Sequence, residues 1–261
     1  MFVVWGKKFV YRKVGYVADF CPICRTPKPF ELKRVGLASH VYYISAGEGE
    51  LAGHERTCRE CGTSFQAEPT VYASISKQPA PLTQLAKQTY PHMNEVLRDR
   101  LALEETVQRA PSSLTSEQRY ALIRSPFLLL SSKVEKRFAS THVDKEIGLS
   151  MVAALGLMFI GPSLVTAVAL DSAELAILIF IALGLFLVTW QILGSGRRFM
   201  KRHLVSILAK SLRPLQPTER ELRTVLAELK QLRHKIATKM KLADLQAHLR
   251  SDGEPRRMRV K

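Results

Sequence analysis

Five stretches of the first 78 residues read as strand-like, and apolar positions at helical spacing take over beyond them. Segments 8–17, 30–37, 41–45, 51–57 and 63–67 are rich in Val, Tyr, Phe and Thr. Branched and flat side chains of this kind suit a pleated, half-buried surface, so these segments are expected to be strands. Gly47-Glu48-Gly49-Glu50 lies between two of them and reads as a hairpin turn. Pro79-Ala80-Pro81 breaks the pattern. Residues 82–109 are expected to be helical, interrupted near Tyr90-Pro91, with Val96, Leu97, Leu101, Leu103 and Val107 on the apolar face. Ala110-Pro111-Ser112-Ser113 ends that helix. Thr115-Ser116-Glu117-Gln118 has the form of a capping box and begins a second helix, through Ile123. Pro126 is expected to restart the chain, with a third helix over 127–138.

Residues 147–170 and 175–196 contain no charged side chain. A hydrocarbon core of about 30 Å needs roughly 20 helical residues, so both blocks are long enough to span it. The connector Asp171-Ser172-Ala173-Glu174 is short enough only to reverse the chain, which predicts an antiparallel transmembrane hairpin over 147–196. The competing reading, two buried helices of a soluble core, requires unusually long apolar runs. Lys133, Lys136, Arg137 and Lys145 precede the hairpin, Arg197, Arg198, Lys201 and Arg202 follow it, and the connector has neither Lys nor Arg. The positive-inside rule therefore places both termini in the cytoplasm, at a bacterial inner membrane. The opening Met1-Phe2-Val3-Val4-Trp5 is too short for a secretory h-region, so the first span is expected to act as its own insertion signal. No ionisable group interrupts either span, which points to anchorage.

The tail, 197–261, begins on a polar helix that can continue the second span and breaks at Arg213-Pro214. A second capping box, Thr218-Glu219-Arg220-Glu221, starts a helix expected to reach about residue 249. Leu222, Val225, Leu229, Leu232 and Ile236 fall at a and d spacing, which supports either a short coiled coil or packing on the helical middle region. Residues 254–261 are expected to be disordered. The whole chain carries a formal charge of +16, and from Arg197 onward 18 Lys plus Arg stand against 6 Asp plus Glu. A tail of that sign beside a bilayer is attracted to anionic headgroups, by about 1 kcal/mol per basic residue near the surface. Arg197, Arg198, Lys201 and Arg202 are the candidate membrane-surface residues.

All four cysteines lie in the strand-rich segment, as Cys21-Pro22-Ile23-Cys24 and Cys58-Arg59-Glu60-Cys61. Each pair can turn two thiolates toward one ion, and two pairs complete the tetrahedral sulfur site preferred by structural zinc. A cytoplasmic location keeps the thiols reduced. Gly62, directly after Cys61, suits the positive φ that closes such a turn. Iron in a rubredoxin-like site uses the same thiolates and stays open as an alternative. A glutaredoxin-like redox role would need the first pair to begin a helix, and Pro27 and Pro29 oppose that. Four cysteines already fill the shell, leaving His40 and His54 as ordinary strand or surface residues.

The motifs CPIC and CRECG resemble the zinc-ribbon family over about residues 1–67. The first pair departs from the family pattern by having Arg25 where Gly is common. The chain as a whole resembles bacterial integral membrane proteins with an N-terminal zinc ribbon. The expected architecture is therefore a multidomain α+β membrane protein. A β-rich zinc ribbon (1–78) would precede a cytoplasmic helical region (79–146), a transmembrane hairpin (147–196) and a basic helical tail (197–261). A closed four-thiolate site leaves no position for substrate, and no catalytic constellation stands out. The leading expectation is a non-enzymatic, membrane-anchored scaffold or adaptor with structural Zn2+ that recruits a cytoplasmic protein partner. One alternative is a membrane-tethered nucleic-acid binder, using Lys7, Lys8, Arg12, Lys13, Lys28, Lys33 and Arg34 on phosphates and Tyr42 and Tyr43 on bases. Another is a homo-oligomeric pore or transporter subunit, with Gly156, Gly161 and Gly184 allowing close helix packing.

Overall fold

In the computed structural model, residues 5–41, 44–45, 47–139, 145–166 and 173–251 are described. Strands β1 (Trp5–Cys21), β2 (Thr26–Val41), β3 (Ile44–Ser45), β4 (Glu50–Cys58) and β5 (Ser64–Ala67) form one antiparallel sheet. Its order is β1-β2-β4-β5, with β3 paired to β2. Tyr42 and Tyr43 lie outside the described residues. β1 extends at both ends beyond the strand expected over residues 8–17. From Gly15 to Cys21 it is buried on both faces. Toward Trp5 the exposure alternates.

The burial near Cys21 has a local cause. The chain after β5 returns along β1, where Tyr16 N–H donates to Ser76 O at 2.7 Å and Ser76 N–H donates to Tyr16 O at 3.1 Å. Gly15 permits this approach, since a Cβ there would lie 2.4 Å from the Ser76 carbonyl oxygen. Helix α1 (Leu82–Thr89) follows, with Leu85 fully buried and Thr89 Oγ1 accepting the Ala18 N–H at 3.0 Å. The helix expected over 82–109 is divided into α1, α2 (Met93–Val96) and α3 (Arg98–Arg109), because Pro91 cannot continue the first.

The expected break at Pro126 does not occur. Helix α4 (Ser116–Ala139) runs through the proline. Its capping box forms as expected: Gln118 N–H donates to Thr115 Oγ1 and Thr115 N–H donates to Gln118 Oε1, each at 3.2 Å.

Helices α5 (Lys145–Thr166) and α6 (Ala173–Phe199) contain the two apolar blocks. They meet closely at Gly184, where an added Cβ would lie 3.4 Å from Ala154 Cβ and 3.1 Å from Met158 Cε. Residues 167–172, which include the expected connector Asp171-Ser172, lie outside the described residues. Among the described residues one helix is long and apolar enough to cross a membrane, and its large side chains, including Phe186, Trp190 and Leu193, are exposed. Helix α6 passes through a π-helical turn, Met200–Leu204, into α7 (Val205–Leu212), so the chain is helical without a break from Ala173 to Leu212. This agrees with the expectation that the polar helix continues the second span.

The expected long tail helix is three helices: α8 (Glu219–Gln231), α9 (Lys235–Lys239) and α10 (Leu242–Ser251). Arg233 at φ 60° ends the first turn sequence, and His234 leaves it to meet Ser131 Oγ at 2.8 Å. Leu222, Val225, Leu229 and Ile236 are buried within the chain, whereas Leu232 is 55 % exposed. Residues 254–261 lie outside the described residues. The chain divides into two compact units, Met1–Pro126 with Ile207–Thr218, and Phe127–Ser206 with Glu219–Lys261.

Candidate metal centre

The sheet topology brings the cysteines together. The turn between β1 and β2 carries Cys21 and Cys24, and Cys58 at the end of β4 sits opposite Phe30 of β2. Cys61 follows in the turn to β5. The four sulfurs lie within 4.8 Å of one another. Cys21 Sγ is 3.7 Å from Cys61 Sγ, and Cys24 Sγ is 4.0 Å from Cys58 Sγ. A tetrahedral zinc with Zn–S bonds of about 2.3 Å requires edges of about 3.8 Å. These separations fit that ion and are far too long for disulfides, consistent with four free cysteines.

The two turns are near copies. Arg25 N–H donates to Cys21 O at 2.7 Å, and Gly62 N–H donates to Cys58 O at 2.9 Å. Each donor residue has positive φ, 58° at Arg25 and 65° at Gly62. Cys24 N–H approaches Cys21 Sγ at 3.4 Å, the kind of contact that stabilises a thiolate. Four thiols this close cannot all ionise without a cation between them. The Cys21 thiol is pushed up because it donates to Cys24, Cys58 and Cys61. Cys24 is also raised: donation from Cys21 pulls it down, but its own bonds to Cys58 and Cys61 outweigh that. Accepting from Cys21 and Cys24 pulls Cys58 down to about 7 and Cys61 lower still. The cluster can hold a metal ion such as zinc, which would replace the two shared protons with its own charge.

Arg25, in place of the usual Gly, is explained by what its side chain does. A non-glycine residue at this φ carries about 1 kcal/mol of strain. Its guanidinium is 4 % exposed and ion-paired to Glu104 at 2.8 Å. Its Nε donates to Ser211 O at 2.7 Å and its Nη2 to Leu122 O at 3.3 Å. Leu122 is four residues before Pro126, whose missing N–H leaves that carbonyl without its helical partner. Ser211 lies in the last turn of α7, where carbonyls also lack helical partners. Arg25 therefore completes two helices as well as the first cysteine turn. Glu104 is further held by Arg100 at 2.7 Å. The second turn has a weaker counterpart, Glu60 to Lys210 at 2.9 Å, both half exposed.

A second buried polar group braces the same end of the sheet. The Asp19 carboxylate accepts from Arg56 and, at 2.6 Å, from the Tyr72 hydroxyl. Burial, reinforced by the Asp19 charge, pushes the Tyr72 hydroxyl up. Sequence reasoning missed this group. A lone acid within an otherwise apolar run, Val17-Ala18-Asp19-Phe20, was its only signal.

The candidate membrane-surface residues divide into two pairs. Arg197 and Lys201 line a cavity in their own unit. Arg198 turns back to Gln191, donating to its side-chain oxygen at 2.7 Å, and Arg202 pairs with Glu146. Of the candidate phosphate contacts, Arg34 is committed to the Glu48 and Gly49 carbonyls, each at 2.9 Å. Lys33 lies 3.4 Å from Glu31. Lys7, Arg12 and Lys13 are exposed on β1. His40 and His54 are on β2 and β4, outside the sulfur cluster. No protein-family model, curated protein or solved structure matches this chain.

Proposed function

We propose that this protein is a membrane-anchored zinc-ribbon scaffold, without catalytic activity, that presents its sheet to a cytoplasmic protein partner at the inner membrane. The apolar blocks of α5 and α6 form the two-span anchor, with both termini on the cytoplasmic side. The observation that carries the reading is the tie between the cysteine turns and helix α7. Arg25 and Glu60 reach Ser211 and Lys210, at the end of a helix that continues without a break from apolar α6. A metal that folds the turns would thereby also steady the contacts they make with the end of α7. The four sulfurs complete the coordination shell, so the ion contributes folding free energy and leaves no open position for chemistry.

The presenting surface is the end of the β1–β2 pair. Trp5, at 81 % exposure, Phe9 and Tyr11 share one face with Lys7 and Lys13. That alternation also favours a second reading, in which bases stack on the aromatic rings and lysines track phosphates. A photoreactive residue at Phe9 of the full chain, activated in intact membranes, separates the two. The scaffold reading expects one dominant protein adduct. Adducts mainly to RNA or DNA would replace it with the second reading, and the absence of any specific adduct would reject both.

A further inference from the structure

We infer that the cavity where α6 ends is a site for the phosphate headgroup of an anionic phospholipid. The inference rests on the membrane reading of α6. The cavity, of about 300 Å³, lies wholly within one unit and is bounded by α4, α6, the π-helical turn, α9 and α10. Four cations line it, Arg197 and Lys201 from the long helix and Lys239 and Lys241 from the tail. One carboxylate, Asp244, opposes them, so the lining carries a net charge of +3. A phosphodiester is the commonest anion at this depth of a bilayer, and basic pockets beside spanning helices suit it.

The apolar part of the wall decides between a lipid and a soluble phosphate. Leu193, 76 % exposed, forms the edge of the cavity toward the apolar run of α6, and exposed Trp190 and Phe186 continue that surface. A headgroup among the lysines would thus have its acyl chains on an uncovered apolar helix face. Phe138, Val205 and the buried Met200 and Met240 form the remaining apolar wall, and Lys239 Nζ lies 5.9 Å from the Phe138 ring centre. The π-helical turn belongs to this construction. Val205 N–H bonds to Met200 O, five residues back, and both residues line the cavity. Such turns recur at functional sites because the extra residue redirects a helix face.

Lys239 and Lys241 lie about forty residues from Arg197 in sequence, beyond the heptad-like stretch. Nothing in the linear pattern associates them with the end of the span. Only the turn between α9 and α10 places them there.

The test is native mass spectrometry of the full-length protein from detergent, titrated with phosphatidylglycerol, phosphatidylcholine or soluble glycerol 3-phosphate. Phosphatidylglycerol should be retained at least tenfold more tightly than phosphatidylcholine. The K239Q/K241Q variant should lose roughly 25-fold in that affinity, a factor of about five per cation, and K239R/K241R should keep it. Asp244→Asn should tighten binding several-fold, an opposite sign that misfolding would not produce. Equal retention of both lipids, or no loss in K239Q/K241Q, overturns the site. Glycerol 3-phosphate binding as tightly as phosphatidylglycerol overturns the lipid as occupant. Extraction of the chain from membranes by alkaline carbonate would instead overturn the membrane reading, and the lipid site with it. A carbonate-resistant chain without headgroup preference would overturn the site alone.

Discussion

Replacing Arg25 by Gly restores the residue usual after a cysteine pair, and by local backbone rules it should stabilise the turn by about 1 kcal/mol. The surrounding structure argues for the opposite sign. Glu104 is 4 % exposed at its side chain and would keep only Arg100, itself 37 % exposed. Removing one partner of a buried ion pair costs about 3–5 kcal/mol, so the net loss should be about 2–4 kcal/mol. The Leu122 and Ser211 carbonyls would also lose their donor, which favours the upper half of that range. The assay is amide hydrogen exchange of the zinc-loaded full chain. A local loss of 3 kcal/mol accelerates exchange by roughly 150-fold around residues 21–26 and 208–212. The specific check is a cycle with Pro126→Ala, which returns an N–H to the Leu122 carbonyl. In the wild-type background this change should matter little, and in Arg25→Met it should recover about 1–3 kcal/mol. Unchanged exchange in Arg25→Gly, or strict additivity of positions 25 and 126, would refute the reasoning.

The purified protein should bind one zinc through Cys21, Cys24, Cys58 and Cys61, and elemental analysis of any single Cys→Ser variant should show the metal weakened or lost. The raised thiols are Cys21 and Cys24. Zinc binding at pH 8 should therefore release about two protons, measured by calorimetry in buffers of different ionisation enthalpy. Acidification returns those protons and must weaken binding; affinity independent of pH between 6 and 8 would contradict the thiolate site. Reporters fused to either terminus should be cytoplasmic, and one inserted at Ser172 should be on the opposite side; an external signal from the Lys261 fusion would reject two spans. Gly15→Ala should destabilise the protein by about 1–3 kcal/mol by forcing residues 75–76 away from β1, seen as faster exchange at Tyr16 and Ser76.

The cysteine cluster that could hold a metal and the apolar blocks were legible because each is encoded locally. Two Cys-x-x-Cys pairs and two uncharged helical runs carry their meaning without knowledge of the rest of the chain. Strand order was not legible, nor was the length of β1, whose last residues before Cys21 are buried by chain that returns from beyond the sheet. The tail's apolar face, Leu222, Val225 and Leu229, was visible as a stripe. Whether another chain or this one covers a stripe is a tertiary question, and here these side chains are buried within the chain. The lysines of the α9–α10 turn were invisible as site residues for the same reason.

Three positions depart from local rules, and they have one explanation. Arg25 takes a conformation suited to Gly, Pro126 sits inside a helix, and α7 ends with a buried carbonyl at Ser211. Considered singly, each predicts a fault: strain, a break and an unsatisfied acceptor. One guanidinium answers all three, because Arg presents a rigid fork of five donors, able to reach several acceptors at once. Lysine, with one rotatable ammonium, cannot span Glu104, Leu122 O and Ser211 O from a single backbone position. The strain at Arg25 is therefore retained because a Cβ in that conformation aims the fork between two helices. Sequence-level rules fail here because they assess each position against its own neighbours. The compensation comes from residues 79, 97 and 186 positions away.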